Sequence, residues 1–393
     1  MTGPIRKAIF ISAVDYESPI QVGDHQLARQ LAADGWQVLF ISKPITPFHL
    51  FSKEKDAIKR RFRSHRTKGH CYSIGKGEIW SFVPFALITP QNKKILAHDR
   101  VYQSWHKTLI PNMKQSLAEI GFLEVDLVYI RDPLQGYLLD MVKAKHTLFR
   151  VADNDAGFST FNQSYARAEK ELAQKVDLVI YSAMELEEYV SKLNPRQTAY
   201  LPNGVDFEHF QGEKKLPDLY RSLNRPIVVY AGSIDFWFDF DLVNQLATDL
   251  PDYSFVIIGP NQKFASRFLK VNNLILTGAI PYQNLPSYLS FADIGIIPFN
   301  KRDFPRLVNA ISPVKLLEYM ACGLPVLASK WNELENTPSP AILCDSYQEF
   351  RIGIENFKDL KKQTETYVRF ARENDWVKRY REILNLISFD RSV

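Results

Sequence analysis

Cysteine is scarce: the 393 residues contain three, Cys71, Cys322 and Cys344. Their spacing is unpaired, which argues against both a disulfide framework and a zinc site and fits a reducing cytoplasm. Long apolar runs are missing too, and no stretch approaches the ~18 apolar residues that a membrane-spanning helix needs. The short run Ala8 to Val14, behind Arg6 and Lys7, lacks the length and cleavage site of a signal peptide. It reads as a first buried strand. There is no Gly-x-Gly-x-x-Gly fingerprint, so nicotinamide or flavin binding is not supported. Internal repeats and low-complexity segments are absent as well.

What remains is a folded, soluble composition, with 46% hydrophobic and 24% charged residues. The length suits two domains. Strand-like runs alternate with helical periodicity, which predicts an α/β fold with parallel sheets and crossover helices. In the first half the expected strands are Ala8–Ser12, Gln37–Ile41, Ile79–Val83, Leu127–Ile130, Thr147–Val151, Leu178–Tyr181 and Thr198–Leu201. A second series starts at Ile227–Gly232 and continues through Phe255–Ile258, Leu274–Leu276, Ile294–Ile297 and Val326–Ala328. The break at Leu201-Pro202-Asn203-Gly204-Val205-Asp206 and the polar stretch behind it divide the chain. The expected domains are 1–205 and 226–370, joined by a linker over 206–225, with a closing segment 371–393 in a last helix that Asn374-Asp375-Trp376 would kink.

The net charge of +5 is unevenly spread. Between Phe51 and His70 stand Lys53, Lys55, Lys59, Arg60, Arg61, Arg63, Arg66 and Lys68 against Glu54 and Asp56. Phe48, Leu50, Phe51, Ile58 and Phe62 interleave with these cations, a pattern that suits contact with anionic lipid headgroups through residues about 48–68. A solvated helix with an ordinary packed stripe is the plainer alternative. No groove-reading motif supports nucleic acid.

One helix start carries the clearest chemistry. Ser312-Pro313-Val314 opens a helix with Lys315 and Glu318 three residues apart on one face, ending at Gly323-Leu324-Pro325. Free backbone N–H groups, the dipole and a lysine suit a diphosphate, and a carboxylate there can accept both hydroxyls of a ribose. His25, behind Gly23-Asp24, either touches a sugar or caps and packs the first helix. Arg131 either binds an anionic sugar or pairs with Asp132.

The chain resembles the two-Rossmann-domain (GT-B) glycosyltransferases of group 1, also described as glycosyltransferase 4-like. The likeness rests on Asn203–Asp206, Tyr230–Ile234 with Trp237, Phe238 and Asp239, Thr277–Tyr282 with Leu285–Leu289, Asp293–Phe299, and the Lys315–Glu318 helix. His25, the basic segment and Phe149-Arg150-Val151-Ala152-Asp153 look like a bacterial group that makes polysaccharides and teichuronic-type polymers, the membrane-associated glucuronosyltransferase of xanthan assembly among them.

That resemblance implies two Rossmann-like domains facing a cleft, with the last helix returning to the first domain. It implies a nucleotide-sugar donor, UDP-linked, and a saccharide or lipid-linked saccharide acceptor, on the inner face of the cell membrane. Lys315, helped by backbone N–H groups around Gly232, Ser233, Ser312 and Val314, would steady the departing diphosphate, with no cofactor and no metal required. Glu318 would hold the ribose, and Phe299 or Ile280 would lie against the base. Asp153 is the expected general base, Asp155 its rival, and both could instead cap the turn that follows. Many retaining relatives carry a further glutamate where this chain has Ala310, which points to inversion. Asp153-Asn154-Asp155 and Asp239-Phe240-Asp241 also spell Asp-x-Asp, the metal signature of another glycosyltransferase class. A nucleotide-sugar 2-epimerase and a non-catalytic sugar-nucleotide or lipid-binding module are the rival functions.

Overall fold

The computed structural model describes residues 5–18, 21–51, 55–66, 69–91, 95–154, 162–260 and 263–387. It divides into two compact units, residues 1–201 with 380–393 and residues 202–379.

The first unit is built on β1 (Lys7–Ser12), β2 (Gln37–Ser42), β3 (His70–Ile74) and β4 (Gly77–Phe82), with a small separate ribbon of β5 (Phe85–Ala86) and β6 (Leu109–Ile110). The main sheet continues with β7 (Glu124–Ile130), β8 (Lys143–Val151), β9 (Leu178–Tyr181) and β10 (Thr198–Tyr200). Its order is β10-β9-β8-β7-β1-β2-β4-β3. The strands are parallel except β3, which runs antiparallel to β4. Ala8, Ile9, Phe10 and Ile11 of β1 are all buried, as expected for a central strand covered on both faces. Helix α1 (Gly23–Ala33) lays Leu27, Ala28 and Leu31 into that core and stops where Gly35 takes a positive φ of 92°. The alternation of half-buried and exposed residues along His70–Ile74 gave no apolar run to mark β3 in the sequence.

The second unit is a six-stranded, all-parallel sheet of β11 (Ile227–Ala231), β12 (Ser254–Ile258), β13 (Leu274–Gly278), β14 (Ile294–Ile297), β15 (Val326–Ser329) and β16 (Ile342–Cys344). Its order is β13-β12-β11-β14-β15-β16. Winding reverses between β11 and β14, so the carboxyl ends of those two strands mark the crevice where doubly wound sheets bind ligands. The corresponding reversal in the first unit lies between β1 and β7.

Residues 206–225 are not a bare linker. They contain the helix Phe207–Gln211 and a 3-10 turn at Asp218–Ser222, with Phe210 and Tyr220 buried in the core of the second unit. The expected kink near Trp376 is a full break between helices Thr364–Glu373 and Trp376–Leu386. Into it the chain at Val205 inserts, its N–H donating to Asn374 O (3.0 Å) and its carbonyl accepting from Trp376 N (3.0 Å). Gly204 permits this approach, because a Cβ there would lie 3.0 Å from the Trp376 ring and 3.1 Å from Asn374 O.

Asp293 ties the start of this sheet together. It accepts from Arg225 Nη1 (3.0 and 2.9 Å), Lys361 Nζ (2.6 Å) and the Ile227 N–H (2.8 Å). Both cations are partly exposed, so the ion pairs are screened and the loss falls mainly on the hydrogen bonds. Asp293→Ala orphans the Ile227 N–H and is expected to cost about 2–3 kcal/mol. Urea unfolding checks this: an unchanged midpoint would show that the cluster contributes nothing.

Candidate active site

In the second unit the site is assembled around the carboxyl end of β11. Helix Val314–Ala321 carries Lys315 and, four residues on along the same face, Tyr319. Tyr319 is held at both ends. Its ring lies against Gly295 of β14, where a Cβ would come within 2.4 Å of it. Its hydroxyl accepts from Ala231 N (2.6 Å) and donates to Ala231 O (3.2 Å). Burial raises the phenol well above its ordinary pKa, so it stays neutral and can do both.

This clamp sets Lys315 beside Gly232. A Cβ on Gly232 would meet Lys315 Cε at 2.7 Å, and Gly232 has a φ of 155°. Gly259, after β12, is constrained in turn, since its Cβ would fall 1.9 Å from Gly232 O. The Gly259 N–H donates to Gly278 O at the end of β13 (3.0 Å). The three glycines thus line one edge of the sheet with bare backbone. Sequence reasoning missed Gly259, although Ile258-Gly259-Pro260 directly follows an apolar run.

Phe299 is corrected by this geometry. It is 3% exposed, stacked on Trp331 at 5.4 Å, with Lys315 Nζ 4.8 Å from its ring centre. It supports the lysine and has no open face to offer a nucleobase. Ile280 remains half-buried just beyond β13 on the same edge. Ser312 is not the helix cap: Pro313 occupies that position without a side-chain cap, and the Ser312 carbonyl accepts from Asn203 Nδ2 (2.7 Å). Val314 and Lys315 therefore open the helix with N–H groups that no capping side chain satisfies, as an anion site requires. Ser233 is exposed, its carbonyl taken by the Tyr230 hydroxyl (2.6 Å).

Glu318 is half-buried on this helix. Burial pushes the group up to about 7, against the pull of Lys315. It is therefore poised to change charge near neutrality.

The first unit presents its own polar edge. Asp153 lies just beyond β8, and its Oδ2 accepts from Arg131 Nη2 at 2.9 Å. Arg131 does not pair with Asp132, whose Oδ1 instead accepts from Leu134 N (3.1 Å). Asp155 falls outside the described residues. His25 is wholly buried among Tyr16 and Phe40. Its Nδ1 accepts from Val22 N (3.3 Å) and its Nε2 faces Asp15 O (3.0 Å), while burial lowers its pKa. The ring is a neutral structural cap with no atom left for a substrate. Its neighbour Asp24, passed over in the sequence, accepts from Ser12 Oγ (2.6 Å) and Tyr129 OH (3.1 Å). Of the two Asp-x-Asp patterns, Asp239 caps helix Phe240–Asp249 through Leu242 N (2.9 Å).

Helix α2 (Lys55–Arg66) holds the described part of the basic segment. Residues 52–54 and 67–68 lie outside the described residues. Arg60 pairs with Asp15 (3.4 Å) and Arg61 donates to Lys43 O (2.5 Å), so both hold the helix to the unit. Phe62 packs on Phe85 and so turns to the protein, whereas Phe48 of the same stripe is 51% exposed. Lys55, Lys59 and Arg63 are exposed and, at four-residue spacing, share one face. Among the described residues no helix is long and apolar enough to cross a membrane.

Two doubly wound units, one with a lysine at a helix N-terminus beside bare glycine backbone, define a protein of the GT-B class. The comparisons with known proteins agree. Residues 10–182 match the family described as glucuronosyltransferase GumK, N-terminal domain, and residues 225–355 match glycosyl transferases group 1. These two matched stretches, one in each unit, make the chain similar to glycosyltransferases. A protein named as a teichuronic acid biosynthesis glycosyltransferase, TuaH of Bacillus subtilis strain 168, is 25% identical over 55% of this chain and 58% of its own length. The matched region thus spans less than two thirds of that relative. A GDP-mannose-dependent phosphatidylinositol monomannoside mannosyltransferase of Mycolicibacterium smegmatis is 25% identical over 48% of each chain. Among solved structures, sucrose-phosphate synthase from Thermosynechococcus elongatus shares the fold with a TM-score of 0.69, at 18% identity over 98% of both chains. Anabaena HepE in complex with UDP and glucose gives 0.63 at 14% identity, over 98% of this chain and 99% of its own.

The Glu318 carboxyl is expected to titrate near 7, and higher still in Lys315→Ala, because the lysine stabilises the charged form. Infrared difference spectra against Glu318→Gln read it directly. A midpoint in the ordinary carboxylate range would contradict the burial.

Proposed function

We propose that this protein transfers a sugar from a UDP-linked donor to a saccharide or lipid-linked saccharide acceptor, with inversion and without a metal. The observation that carries the reading is Lys315, at an uncapped helix N-terminus, packed against Gly232 at the reversal point of the second sheet. A diphosphate there meets a cation, backbone N–H groups and a positive dipole end at once. Those groups stabilise the charge that develops as the sugar–phosphate bond breaks. Glu318, when ionised, accepts from the ribose hydroxyls.

The acceptor oxygen forms the new bond to the anomeric carbon as UDP leaves, and Asp153 takes the hydroxyl proton. Ala310 supplies no second carboxylate of the kind many retaining relatives have. A polysaccharide as end product is supported by the teichuronic name of the Bacillus relative.

Binding of UDP, GDP, dTDP and ADP to wild type and Lys315→Ala tests the donor site. UDP is expected to bind best, with loss of roughly tenfold or more in the variant. Lysine-independent binding, or none, would remove the reading. Asp153→Asn is expected to abolish transfer while leaving UDP affinity within about twofold, since it removes only the group that takes the proton.

The exposed Lys55, Lys59 and Arg63 support docking on an anionic membrane surface. Replacing all three by Gln is expected to lower partition onto phosphatidylglycerol vesicles by roughly a hundredfold, at about 1 kcal/mol per basic residue. Sedimentation measures this, and unchanged partition would return α2 to an ordinary solvated helix.

A further inference from the structure

Arg131 stands at the reversal point of the first sheet, directly after β7. Its backbone is fixed there, because its N–H donates to Ile11 O of β1 at 2.9 Å. It follows Ile130, whose register partner in β8 is Phe149, and stands two residues beyond Tyr129. The Tyr129 hydroxyl and Ser12 Oγ occupy the two oxygens of Asp24. Asp24 is therefore committed elsewhere, and the Arg131 guanidinium reaches Asp153.

The contact is asymmetric. The Arg131 side chain is 20% exposed and that of Asp153 36%. The guanidinium thus backs the carboxylate from the protein side and donates to its Oδ2. Among the described residues Asp153 accepts at Oδ2, which leaves Oδ1 for what arrives from solution. Without the arginine, a half-exposed aspartate beyond the end of a strand would distribute over several χ1 wells. A base that must meet a hydroxyl within hydrogen-bond reach loses rate when its geometry is not held.

We infer that Arg131 is the positioning residue of Asp153, pinning the carboxylate through Oδ2 so that Oδ1 faces the acceptor hydroxyl. This rests on Asp153 being the base. The pair is too exposed to hold the fold, so Arg131 variants are expected to fold.

The test is a double-mutant cycle of Arg131→Gln and Asp153→Asn, read by UDP release from UDP-glucose with water as acceptor. Arg131→Gln is expected to lower kcat about ten- to a hundredfold with KM changed less than about twofold. Arg131→Lys should recover part of the loss, and added guanidinium should restore Arg131→Gln but not the double variant. The double variant should be no slower than Asp153→Asn, because contacting residues in one network are not additive. Additive losses, or an unchanged kcat in Arg131→Gln, would overturn the inference while leaving Asp153 as base. Full activity in Asp153→Asn would instead remove the base assignment itself and this inference with it. A crystal structure of Arg131→Gln gives a readout without turnover. Asp153 in more than one rotamer is expected, and one unchanged rotamer overturns the inference.

Discussion

The contact on which the polar edge of the second unit depends is the hydroxyl of Tyr319 on the backbone of Ala231. A single phenol that both accepts from and donates to one residue fixes helix Val314–Ala321 to the end of β11 in depth and rotation. It can do so because Gly295 leaves room for the ring on β14. Everything else follows from that seating. Lys315 comes to rest against Gly232 and over Phe299, Phe299 is backed by Trp331, and the Trp331 N–H donates to Ile311 O at 2.9 Å in the chain leading into the helix. The support is a closed ring of contacts around one cation. Such rigidity suits a site that must stabilise developing charge without reorganising.

The helix itself ends in the same economical way. Gly323 adopts a positive φ of 71°, its N–H donating to Met320 O and that of Leu324 to Tyr319 O. This is the left-handed stop that lets Pro325 turn the chain straight into β15. The binding end of the helix and its support are thus joined to the sheet by short connections on both sides.

The first unit distributes its polar groups differently. Among its carboxylates, Asp24 is sealed beneath hydroxyls, whereas Asp153 is partly exposed and rests on an arginine. His25 lies beside the former and stays neutral, with both ring nitrogens turned to backbone. On α2 the same sorting separates Arg60 and Arg61, which hold the helix down, from Lys55, Lys59 and Arg63, which do not face the core. A run of like charges in sequence is therefore two populations with different work to do.

Much of this was legible in the sequence. Parallel strands buried on both faces read as unbroken apolar runs, so the central strands and the alternating architecture were visible, as were the Lys315–Glu318 helix and its glycine stop. Local spacing alone brings Lys315, Glu318 and Tyr319 onto one helix. What only the tertiary structure decided is which side chains are spent on holding the fold. His25 and Phe299 have the residue types of a binding site, yet burial commits both to support. Arg131 and Asp153, twenty-two residues apart in the chain, meet only because β7 and β8 lie side by side. Strand β3 and the insertion of Val205 into the broken helix were hidden for the same reason: edge pairing and backbone insertion leave no periodic apolar pattern. Periodicity reports which face of an element is buried, whereas the partner that buries it is fixed only when distant segments pack.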